Sequence, residues 1–381
     1  MGEFANKTAI VGIGQTEFSK DSGRSPLQLA AECSLAALVD AGLTPADVDG
    51  MVAFTVEENE EVDLLQTLGI PGLSWSARIG LGGGGSAGTV FHAAAAIASG
   101  AAETVLIYRA FNERSGHRFG QAMAPGRGVG GWQGTGYGNI VWGLPYGVMT
   151  PSATISIASL DYMNRYGVTN EDFGHYVVSA RAYAATQPTA WFRDRPVTID
   201  DHQASRWIIE PVLRLLDCCQ ESDGGVALVM TSVERARDLR RAPVVVKGAA
   251  QDVKPNSNPG LSARVERMAE RLYRSAGMGP QEISAALLYD AFTPEVFHQL
   301  EGLGFCGAGE AKDFVRSGAM RLDGRLPVNM NGGLLGEAYI HGMNMITEAV
   351  RQLRGEAANQ VPNVEHVLMS SGASGHILGR A

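Results

Sequence analysis

Apolar runs alternate with helical periodicities along this chain of 381 residues, and the alternation predicts an α/β fold. In the first half, residues 7–14 (KTAIVGIG) and 50–56 have the composition of buried strands, with a helix between them. In the second half, residues 242–248 (APVVVKG) and 285–289 repeat the arrangement, again with a helix between them. The repeated order of strand, helix and strand indicates two related halves.

The same turn follows the helix in each half. The segments AGLTPADV (41–48) and AGMGPQEI (276–283) place glycine where a helix ends, and proline with acidic residues where a new turn opens. We interpret this agreement as a duplication, with one half at 1–240 and the other at 241–381. Each half continues with a glycine cluster, a helix and a β-branched strand, at 82–85, 89–98 and 103–108 and again at 332–333, 341–353 and 366–370.

An insertion at about 110–215 interrupts the first half and differs from it in composition. Glycine and aromatic residues dominate 116–150, which is typical of an ordered functional loop rather than a linker. The aromatic residues there include Trp132, Tyr137, Trp142 and Tyr146. Two helical stretches follow, at 153–166 and 170–186, and we expect the insertion to lie over one face of the core.

Composition narrows the possible functions. A net charge of −9 disfavours nucleic acid as a partner, because neutralising phosphates requires a basic face. No apolar run approaches the roughly 20 residues that span a membrane, and the N-terminus lacks the charged and then apolar pattern of a signal peptide. The cysteines show no metal-ligand spacing, so we expect reduced thiols, no metal site and a cytoplasmic protein. They are Cys33, Cys218, Cys219 and Cys306.

Two glycine-rich turns are candidates for binding negative charge. The segment GGGSAG at 83–88 matches the spacing of a dinucleotide-binding loop, but no long strand leads straight into it. Its glycines also fit close packing of loop and helix, and a better interpretation is a helix N-terminus whose amides stabilise a negative oxygen. The segment SSGASG at 370–375 follows a strand, and it fits either a structural turn or a set of oxyanion donors.

Two further segments concentrate groups that can move protons. YDAFTPE at 289–295 stands where a buried strand ends and a helix begins, the position at which α/β proteins place their sites. Tyr289 serves either packing or chemistry there, and Asp290 or Thr293 also fits a helix cap. The second segment is NMNGGLLGEAYIHG at 329–342. Its candidate proton handlers are Glu337, Tyr339 and His341.

In this order, the motifs resemble the thiolase superfamily, specifically its sterol-carrier and lipid-transfer branch, over nearly the whole chain. The most specific segments are PVLRLLDCCQESDGGVA (211–227), YDAFTPE and NMNGGLLGEAYIHG. The resemblance implies a thiolase-like fold, with two βαβαβ halves in a layered α-β-α-β-α arrangement and an inserted loop domain. It also implies that Gly83 stands where the branch has its nucleophilic cysteine. The second cysteine of the branch would fall within 370–372, where this chain has no cysteine.

Tyrosines replace two histidines of that branch. Tyr289 stands in place of the histidine in His-Asp-x-Phe, and Tyr339 in place of the histidine in Gly-His-Pro. A thiolase without its thiolate cannot form an acyl-enzyme, but the tyrosine pair resembles the steroid side-chain-cleaving aldolases of the branch. The resemblance therefore implies retro-aldol cleavage of a β-hydroxyacyl-CoA steroid side chain, which gives a ketone or aldehyde and a short acyl-CoA.

The expected site follows from this resemblance. Tyr339 is the expected acid and base on the cleaved hydroxyl and Tyr289 the auxiliary donor, and the two roles are exchangeable. We expect His341 to support them as a proton relay. Asp290 has only a supporting role, since a nearby anion raises the pKa of a phenol. Glycine loops are expected to bind CoA and to donate to the thioester enolate. The candidate glycines are Gly83, Gly84, Gly333 and Gly372.

No permanently bound cofactor is expected, because the substrate is itself a CoA thioester. The resemblance implies a homodimer flanked by a zinc-ribbon/OB-fold partner, hence a heterotetramer, with zinc only in the partner. Two alternatives stay open. One is a degenerate thiolase or acyltransferase that uses Cys306 or Cys219, and the other is a non-catalytic scaffold that binds acyl-CoA or lipid.

Overall fold

The computed structural model describes residues 4–80, 82–116, 118, 144–253 and 261–381. Most of the loop predicted at 116–150 lies outside these residues, including Trp132, Tyr137 and Trp142. Tyr146, near the end of that loop, is 86% exposed. Within the described ranges, every helix is too short or too polar to cross a bilayer.

The described residues form eleven strands and twelve α-helices. The strands are β1 (Thr8–Gln15), β2 (Gly50–Phe54), β3 (Trp75–Ile79), β4 (Thr104–Asn112), β5 (Trp207–Ile209), β6 (Leu213–Arg214), β7 (Asp223–Ser232), β8 (Val244–Gln251), β9 (Ala285–Leu288), β10 (His366–Ser370) and β11 (Ser374–Arg380). The helices are α1 (Pro26–Ala41), α2 (Glu61–Leu68), α3 (Ser86–Ser99), α4 (Pro151–Tyr166), α5 (Asn170–Thr186), α6 (Ile199–Ala204), α7 (Val233–Ala236), α8 (Leu261–Ala276), α9 (Thr293–Gly302), α10 (Ala311–Arg316), α11 (Gly333–Gly336) and α12 (Met343–Arg354).

Nine of these strands form one mixed sheet in the order β3-β2-β4-β7-β1-β8-β11-β10-β9. The strands of the first half precede those of the second in this order, and the two groups meet where β1 pairs with β8 at Ala9–Val245 and Ile10–Val244. Within each half, parallel pairs lie toward the outer edge and antiparallel pairs toward this junction. The strand order supports our proposal that the chain divides near residue 240.

Helices cover both faces of each half-sheet, which confirms the predicted layered α/β fold. Helices α3 and α12 pack against strands of both halves, and their apolar faces join one buried cluster with the inner faces of the strands. Helix α1 covers the outer face of the first half, where a second cluster lies. Helices α8 and α9 enclose a third cluster on the outer face of the second half. Since α3 and α12 lie between the two half-sheets, the layers run helix, half-sheet, helix, half-sheet, helix.

The turn shared by the two halves has the same geometry in both. Gly42 and Gly277 end α1 and α8 with φ of 76° and 70°, in the left-handed region that favours glycine. In the short turns that follow, Asp47 Oδ2 accepts from Thr44 N at 2.9 Å and Glu282 Oε2 from Gly279 N at 2.7 Å. An acidic side chain thus satisfies the free amide at the start of each turn, as the two octapeptides predict.

Some elements differ from the sequence-based prediction. The helix predicted at 341–353 begins at Met343, because Gly342 precedes it with a φ of 82°. The segment 370–375 is a short turn followed at once by a full strand, β11, which fills the sheet between β8 and β10. The glycines at 375 and 379 hide this strand from a pattern search, because glycine lowers strand propensity.

Candidate active site

Two tyrosines from different loops of the second half meet close to a glycine from the first half. Tyr289 follows β9, and Tyr339 lies in the loop between α11 and α12. Their hydroxyl oxygens are 2.9 Å apart, and the side chains are 6% and 8% exposed. Gly83 lies in the 3-10 turn that leads into α3. The structure therefore brings together three residues that the sequence separates by up to 256 positions.

The Tyr289 phenol occupies the space that a side chain at position 83 would need. A β-carbon built on Gly83 would lie 1.8 Å from the Tyr289 hydroxyl and 2.3 Å from its Cζ. Ordinary van der Waals contact between heavy atoms requires at least about 3.4 Å. Gly83 and Tyr289 are therefore structurally complementary, because the missing side chain of one makes room for the hydroxyl of the other.

Hydrogen bonds on either side of the ring hold the Tyr289 backbone. Its amide donates to Ser370 O at 2.9 Å, and its carbonyl accepts from Gln299 Nε2 at 2.7 Å. Gly342 packs against the ring, where an added β-carbon would lie 3.0 Å from Tyr289 Cδ2. These contacts come from β10, α9 and the loop before α12, so the phenol has a fixed direction.

Tyr339 is held by aromatic rings and by its backbone. Its amide donates to Ser222 Oγ at 3.3 Å, and its ring meets Phe111 and His341 edge to face, with centroids 6.5 Å and 5.2 Å away. Burial and the neighbouring Tyr289 raise the pKa of Tyr339 well above its usual value of 10. The phenol is consequently neutral at physiological pH, so it acts as a donor and acceptor rather than as a resting phenolate.

His341 is close to Tyr339 but is hydrogen bonded to a buried arginine. Arg109 Nε donates to His341 Nδ1 at 3.1 Å. The imidazole also stacks on Phe111, with centroids 5.2 Å apart and planes at 28°. Burial and the Arg109 charge hold the pKa of His341 well below its ordinary value of 6.5, so the ring is neutral.

Asp290 points away from the tyrosine pair and fixes the polar loop. Its two carboxylate oxygens accept from Tyr176 Oη at 2.6 Å and from Leu334 N at 2.8 Å. Burial raises the pKa of Asp290 to about 6. The helix start that Asp290 or Thr293 was expected to cap is closed instead by Glu295, whose Oε2 accepts from Phe292 N at 3.0 Å.

Glu337 also holds the loop in place, although its position in the motif indicated a proton handler. The carboxylate is completely buried and accepts hydrogen bonds from four side chains. The donors are Thr189 Oγ1 at 2.6 Å, Asn331 Nδ2 at 2.5 Å, Asn344 Nδ2 at 2.9 Å and Gln187 Nε2 at 3.2 Å. A carboxylate that accepts from this many donors has no lone pair directed at the tyrosines.

The four candidate glycines occupy different environments. The Gly84 carbonyl accepts from Ser371 Oγ at 2.9 Å and from Ser374 Oγ at 3.2 Å, which joins the two halves at the start of α3. The Gly333 amide donates to Asn331 Oδ1 at 3.1 Å, and an added β-carbon would lie 2.1 Å from Asp290.

The fourth glycine, Gly372, has open space on its side-chain face. Its amide donates to Ser370 Oγ at 3.1 Å. Gly333 and Gly372 would each exchange an existing hydrogen bond for one to a substrate oxygen.

Sequence reasoning missed several charged groups beside the pair. Glu113 is 2% exposed and raises the pKa of Tyr339 by its charge. Lys20 donates to Glu221 O at 2.6 Å, next to the bridge between Glu221 and Tyr339. Burial lowers the pKa of Lys20 to about 8. Of the charged groups near the pair, Arg109 could have been found from the sequence, because it interrupts the otherwise apolar run TVLIYRAFN of β4.

All four cysteines are free thiols, and none is activated as a nucleophile. Burial raises the pKa of Cys306 to about 12 and that of Cys219 well above its usual 9. A nucleophilic cysteine needs a lowered pKa, since the thiolate is the reactive form. The structure therefore offers no support for an acyltransferase that uses either residue.

Comparison with known proteins is consistent with this geometry. Residues 250–378 match the family model described as thiolase C-terminal domain-like. The chain is 50% identical over 392 residues to a steroid side-chain-cleaving aldolase from Thermomonospora curvata, covering 100% of this chain and 99% of that protein. It is also 50% identical to the 17-hydroxy-3-oxo-4-pregnene-20-carboxyl-CoA lyase of Mycobacterium tuberculosis, covering 98% of this chain and 100% of that one.

Solved structures agree with these relatives. The Ltp2–ChsH2(DUF35) aldolase superimposes with a TM-score of 0.91 at 48% identity, covering 100% of this chain and 99% of that chain. Human mitochondrial 3-ketoacyl-CoA thiolase in complex with CoA superimposes with a TM-score of 0.69 at 14% identity, covering 100% of this chain and 99% of that chain. At that identity the second likeness concerns the fold alone.

Proposed function

The chain belongs to the steroid side-chain-cleaving aldolases of the thiolase superfamily, and we propose that Tyr289 and Tyr339 carry out its reaction. It is a carbon–carbon lyase that acts on the CoA thioester of a steroid side chain. The observation that carries the assignment is the 2.9 Å contact between the two phenol oxygens, in a space that Gly83 leaves open.

A retro-aldol cleavage requires one proton to be removed and one to be added. The hydroxyl on the β-carbon loses its proton, the bond between the α- and β-carbons breaks, and the electron pair of that bond enters the thioester enolate. The β-carbon becomes the carbonyl of the ketone or aldehyde. Protonation of the enolate at the α-carbon then gives the short acyl-CoA. The number of protons is unchanged overall.

The tyrosine pair is suited to this exchange. Tyr339 accepts the hydroxyl proton while it passes its own proton to Tyr289, and Tyr289 delivers a proton to the enolate carbon. No phenolate has to exist in the resting enzyme, which agrees with the raised pKa of Tyr339. The same chain of hydrogen bonds also operates with the two roles exchanged.

Backbone amides at the start of α3 are the proposed donors to the enolate oxygen. Gly83 and Gly84 lie in the turn that enters this 14-residue helix, where amides and the helix dipole favour negative charge. Gly372 and Gly333 are the candidates from the second half, and each has to release its present acceptor to take part. We propose that the CoA thioester is bound between these loops, without a permanently bound cofactor.

A partner protein is part of the proposal. The similar solved structure is an Ltp2–ChsH2(DUF35) aldolase, which supports a complex for this chain as well. We propose a homodimer flanked by a zinc-ribbon/OB-fold protein, so that zinc is present only in the partner and the steroid pocket lies between the two proteins. Free thiols at all four cysteines fit a cytoplasmic location.

The proposal is tested with the purified complex and a steroid β-hydroxyacyl-CoA, by measuring the released ketone or aldehyde and the short acyl-CoA. We expect Tyr289→Phe and Tyr339→Phe each to lower kcat by about 10²-fold or more, the usual contribution of a positioned proton donor. Tyr273→Phe is the matched control, since that phenol also donates one hydrogen bond, to Leu303 O at 2.8 Å, in the outer layer.

Two results would overturn the assignment. Full activity in both tyrosine variants would exclude the pair, and tight acyl-CoA binding without turnover in the presence of the partner would favour a scaffold. Tm values of the three variants within a few degrees of the wild type show that the loss is chemical.

A further inference from the structure

A completely buried arginine lies next to the tyrosine pair. Arg109 is in β4, and its side chain takes a place among apolar residues of the central cluster, including Ile107 and Phe111 on the same face of the strand. Removing a charge from water without full compensation is strongly unfavourable. The position therefore calls for an explanation beyond packing.

The contacts of Arg109 connect it to the site rather than to the protein surface. Its Nη1 forms an ion pair with Glu57 Oε2 at 2.7 Å, with both side chains completely buried. Its Nε donates to His341 Nδ1 at 3.1 Å, and its guanidinium lies 4.2 Å above the Phe111 ring. Nη2 has no hydrogen-bond partner in the described part of the chain. The guanidinium is thus held by three groups, of which one is the imidazole.

Glu57 is fixed in turn by the backbone. It accepts from Ala110 N at 3.2 Å through the same oxygen that meets Arg109, and from Asn59 Nδ2 at 2.7 Å through the other. The carboxylate therefore has a defined position, and it sets the orientation of the guanidinium across from it. Both oxygens are engaged, so Glu57 acts on His341 only through Arg109.

The hydrogen bond to Arg109 determines where His341 carries its proton. A guanidinium donates hydrogen bonds and cannot accept them. The Nδ1 atom of His341 must then be the acceptor, which leaves the proton on Nε2 and the ring neutral. If His341 relays a proton, as the sequence led us to expect, it can do so only through Nε2, since Nδ1 already accepts from Arg109.

The ring of His341 also borders Tyr339. Its backbone has a φ of 48°, unusual for a residue with a side chain, and its ring lies between Phe111 and Tyr339. From these contacts we propose that Arg109, oriented by Glu57, is a positioning residue that holds His341 neutral with its proton on Nε2. In that state the imidazole keeps the Tyr339 phenol at the Tyr289 hydroxyl. The inference rests on the proposed role of the tyrosine pair.

The groups around His341 define the expected pH behaviour. In the described part of the chain, Arg109 faces it from β4 and Tyr339 from its own loop, while Glu57 lies behind Arg109 and Tyr289 beyond Gly342. Phe54 and Phe111 also contact the ring. The Arg109 charge disfavours protonation of the imidazole, so activity should show no ionisation of this histidine near its ordinary pKa.

Nitrogen NMR of the native protein tests the proton position directly. The protein is labelled with ¹⁵N-histidine, and the His341 signals are assigned by their loss in His341→Asn, a residue that tolerates left-handed φ. We expect an unprotonated Nδ1 and a protonated Nε2 from pH 6 to pH 9. A protonated Nδ1, or titration of the ring near pH 6.5, would overturn the proposal whatever the enzyme activity is.

A double variant tests the link to catalysis. Arg109→Met combined with Glu57→Gln removes both buried charges together, so that neither is left unpaired. We expect kcat to fall about tenfold to hundredfold with KM within about threefold, as for a small misplacement of a catalytic group. We also expect the His341 proton to be shared between Nδ1 and Nε2, instead of lying on Nε2 alone. An unchanged kcat or unchanged His341 signals would refute the positioning role.

A second ion pair supplies the matched control. Arg354 Nη1 and Asp40 Oδ2 are also 2.7 Å apart, with side chains 3% and 17% exposed, and they lie away from His341. Arg354→Met with Asp40→Asn should lower Tm and leave kcat unchanged. An equal fall of kcat in this control would assign the effect of the Arg109 variant to general destabilisation. The native NMR measurement decides the question if the Arg109 variant does not fold, and it stands even if the tyrosine variants retain activity.

Discussion

Replacing Gly83 by alanine should displace the Tyr289 phenol, which supplies the three atoms nearest to the new β-carbon. The new β-carbon would lie 1.8 Å from the hydroxyl oxygen, so that oxygen has to move by roughly 1.6 Å to reach ordinary contact. Gly83 does not have a positive φ, so alanine causes no backbone strain. The substitution is therefore a steric test of one contact.

The expected effects follow from that displacement. A misplacement of about 1 Å at a reacting group costs roughly a hundredfold in rate, which equals about 2.7 kcal/mol of activation free energy. Overpacking a buried site should also lower the free energy of unfolding by about 1–3 kcal/mol. Initial rates with saturating substrate measure the first effect, and urea unfolding followed by circular dichroism measures the second.

Two controls separate this contact from other effects. Gly84→Ala has room, since the nearest atom to its β-carbon, Ser371 O, is 3.6 Å away, so its stability should be unchanged. In a Tyr289→Ala background, Gly83→Ala should cost almost no stability, because the phenol is absent. An equal cost in both backgrounds, or a Gly83→Ala enzyme with wild-type kcat, would refute the steric argument.

Three further predictions concern charge and proton state. Burial raises the pKa of Glu348 from 4.5 to about 7. Between these pH values the folded state binds more protons than the unfolded state. The free energy of unfolding should therefore fall by about 1–3 kcal/mol as the pH rises from 4.5 to 7. Glu348→Gln should flatten that slope in urea unfolding, and an unchanged slope would contradict the raised pKa. Asp290→Ala leaves the donors Tyr176 and Leu334 without an acceptor, so urea unfolding should show a loss of about 2–4 kcal/mol; a loss below 1 kcal/mol would contradict the anchoring role. Iodoacetamide should leave the activity unchanged at neutral pH, because the pKa of Cys219 is raised well above its usual value; inactivation with an acyl-enzyme adduct would favour the acyltransferase.

The fold could be predicted from sequence where the chemistry is local. Glycine after a helix, and proline with an acidic residue three positions beyond the free amide, specify the turns at 41–48 and 276–283 without help from distant residues. Strand β11 escaped prediction because its pairing with β8 and β10 outweighs the low strand propensity of its glycines. Long-range pairing is not visible in a short window of sequence.

The site was predictable to a different extent. The family resemblance indicated Tyr289 and Tyr339, which lie 50 positions apart, but their contact requires the docking of two loops. The contacts of Glu337 were not visible in the sequence, because its four donors come from the segment after α5, from the loop before α11 and from α12. For Arg109, the charge within an apolar strand was visible in the sequence, whereas its partners Glu57 and His341 were not.

The hydrogen bonds that the Gly84 carbonyl accepts from two serines have a consequence for synthesis of the chain. Ser371 and Ser374 follow Gly84 by 287 and 290 positions. At roughly 5–20 residues per second, the ribosome needs about 15 to 60 s to make that stretch. The turn that leads into α3 spends this time without the hydroxyls that hold its carbonyl in the finished enzyme. A nascent or truncated chain that ends before these serines therefore lacks both contacts at the start of α3, and we expect catalytic competence only after Ser374 has been added.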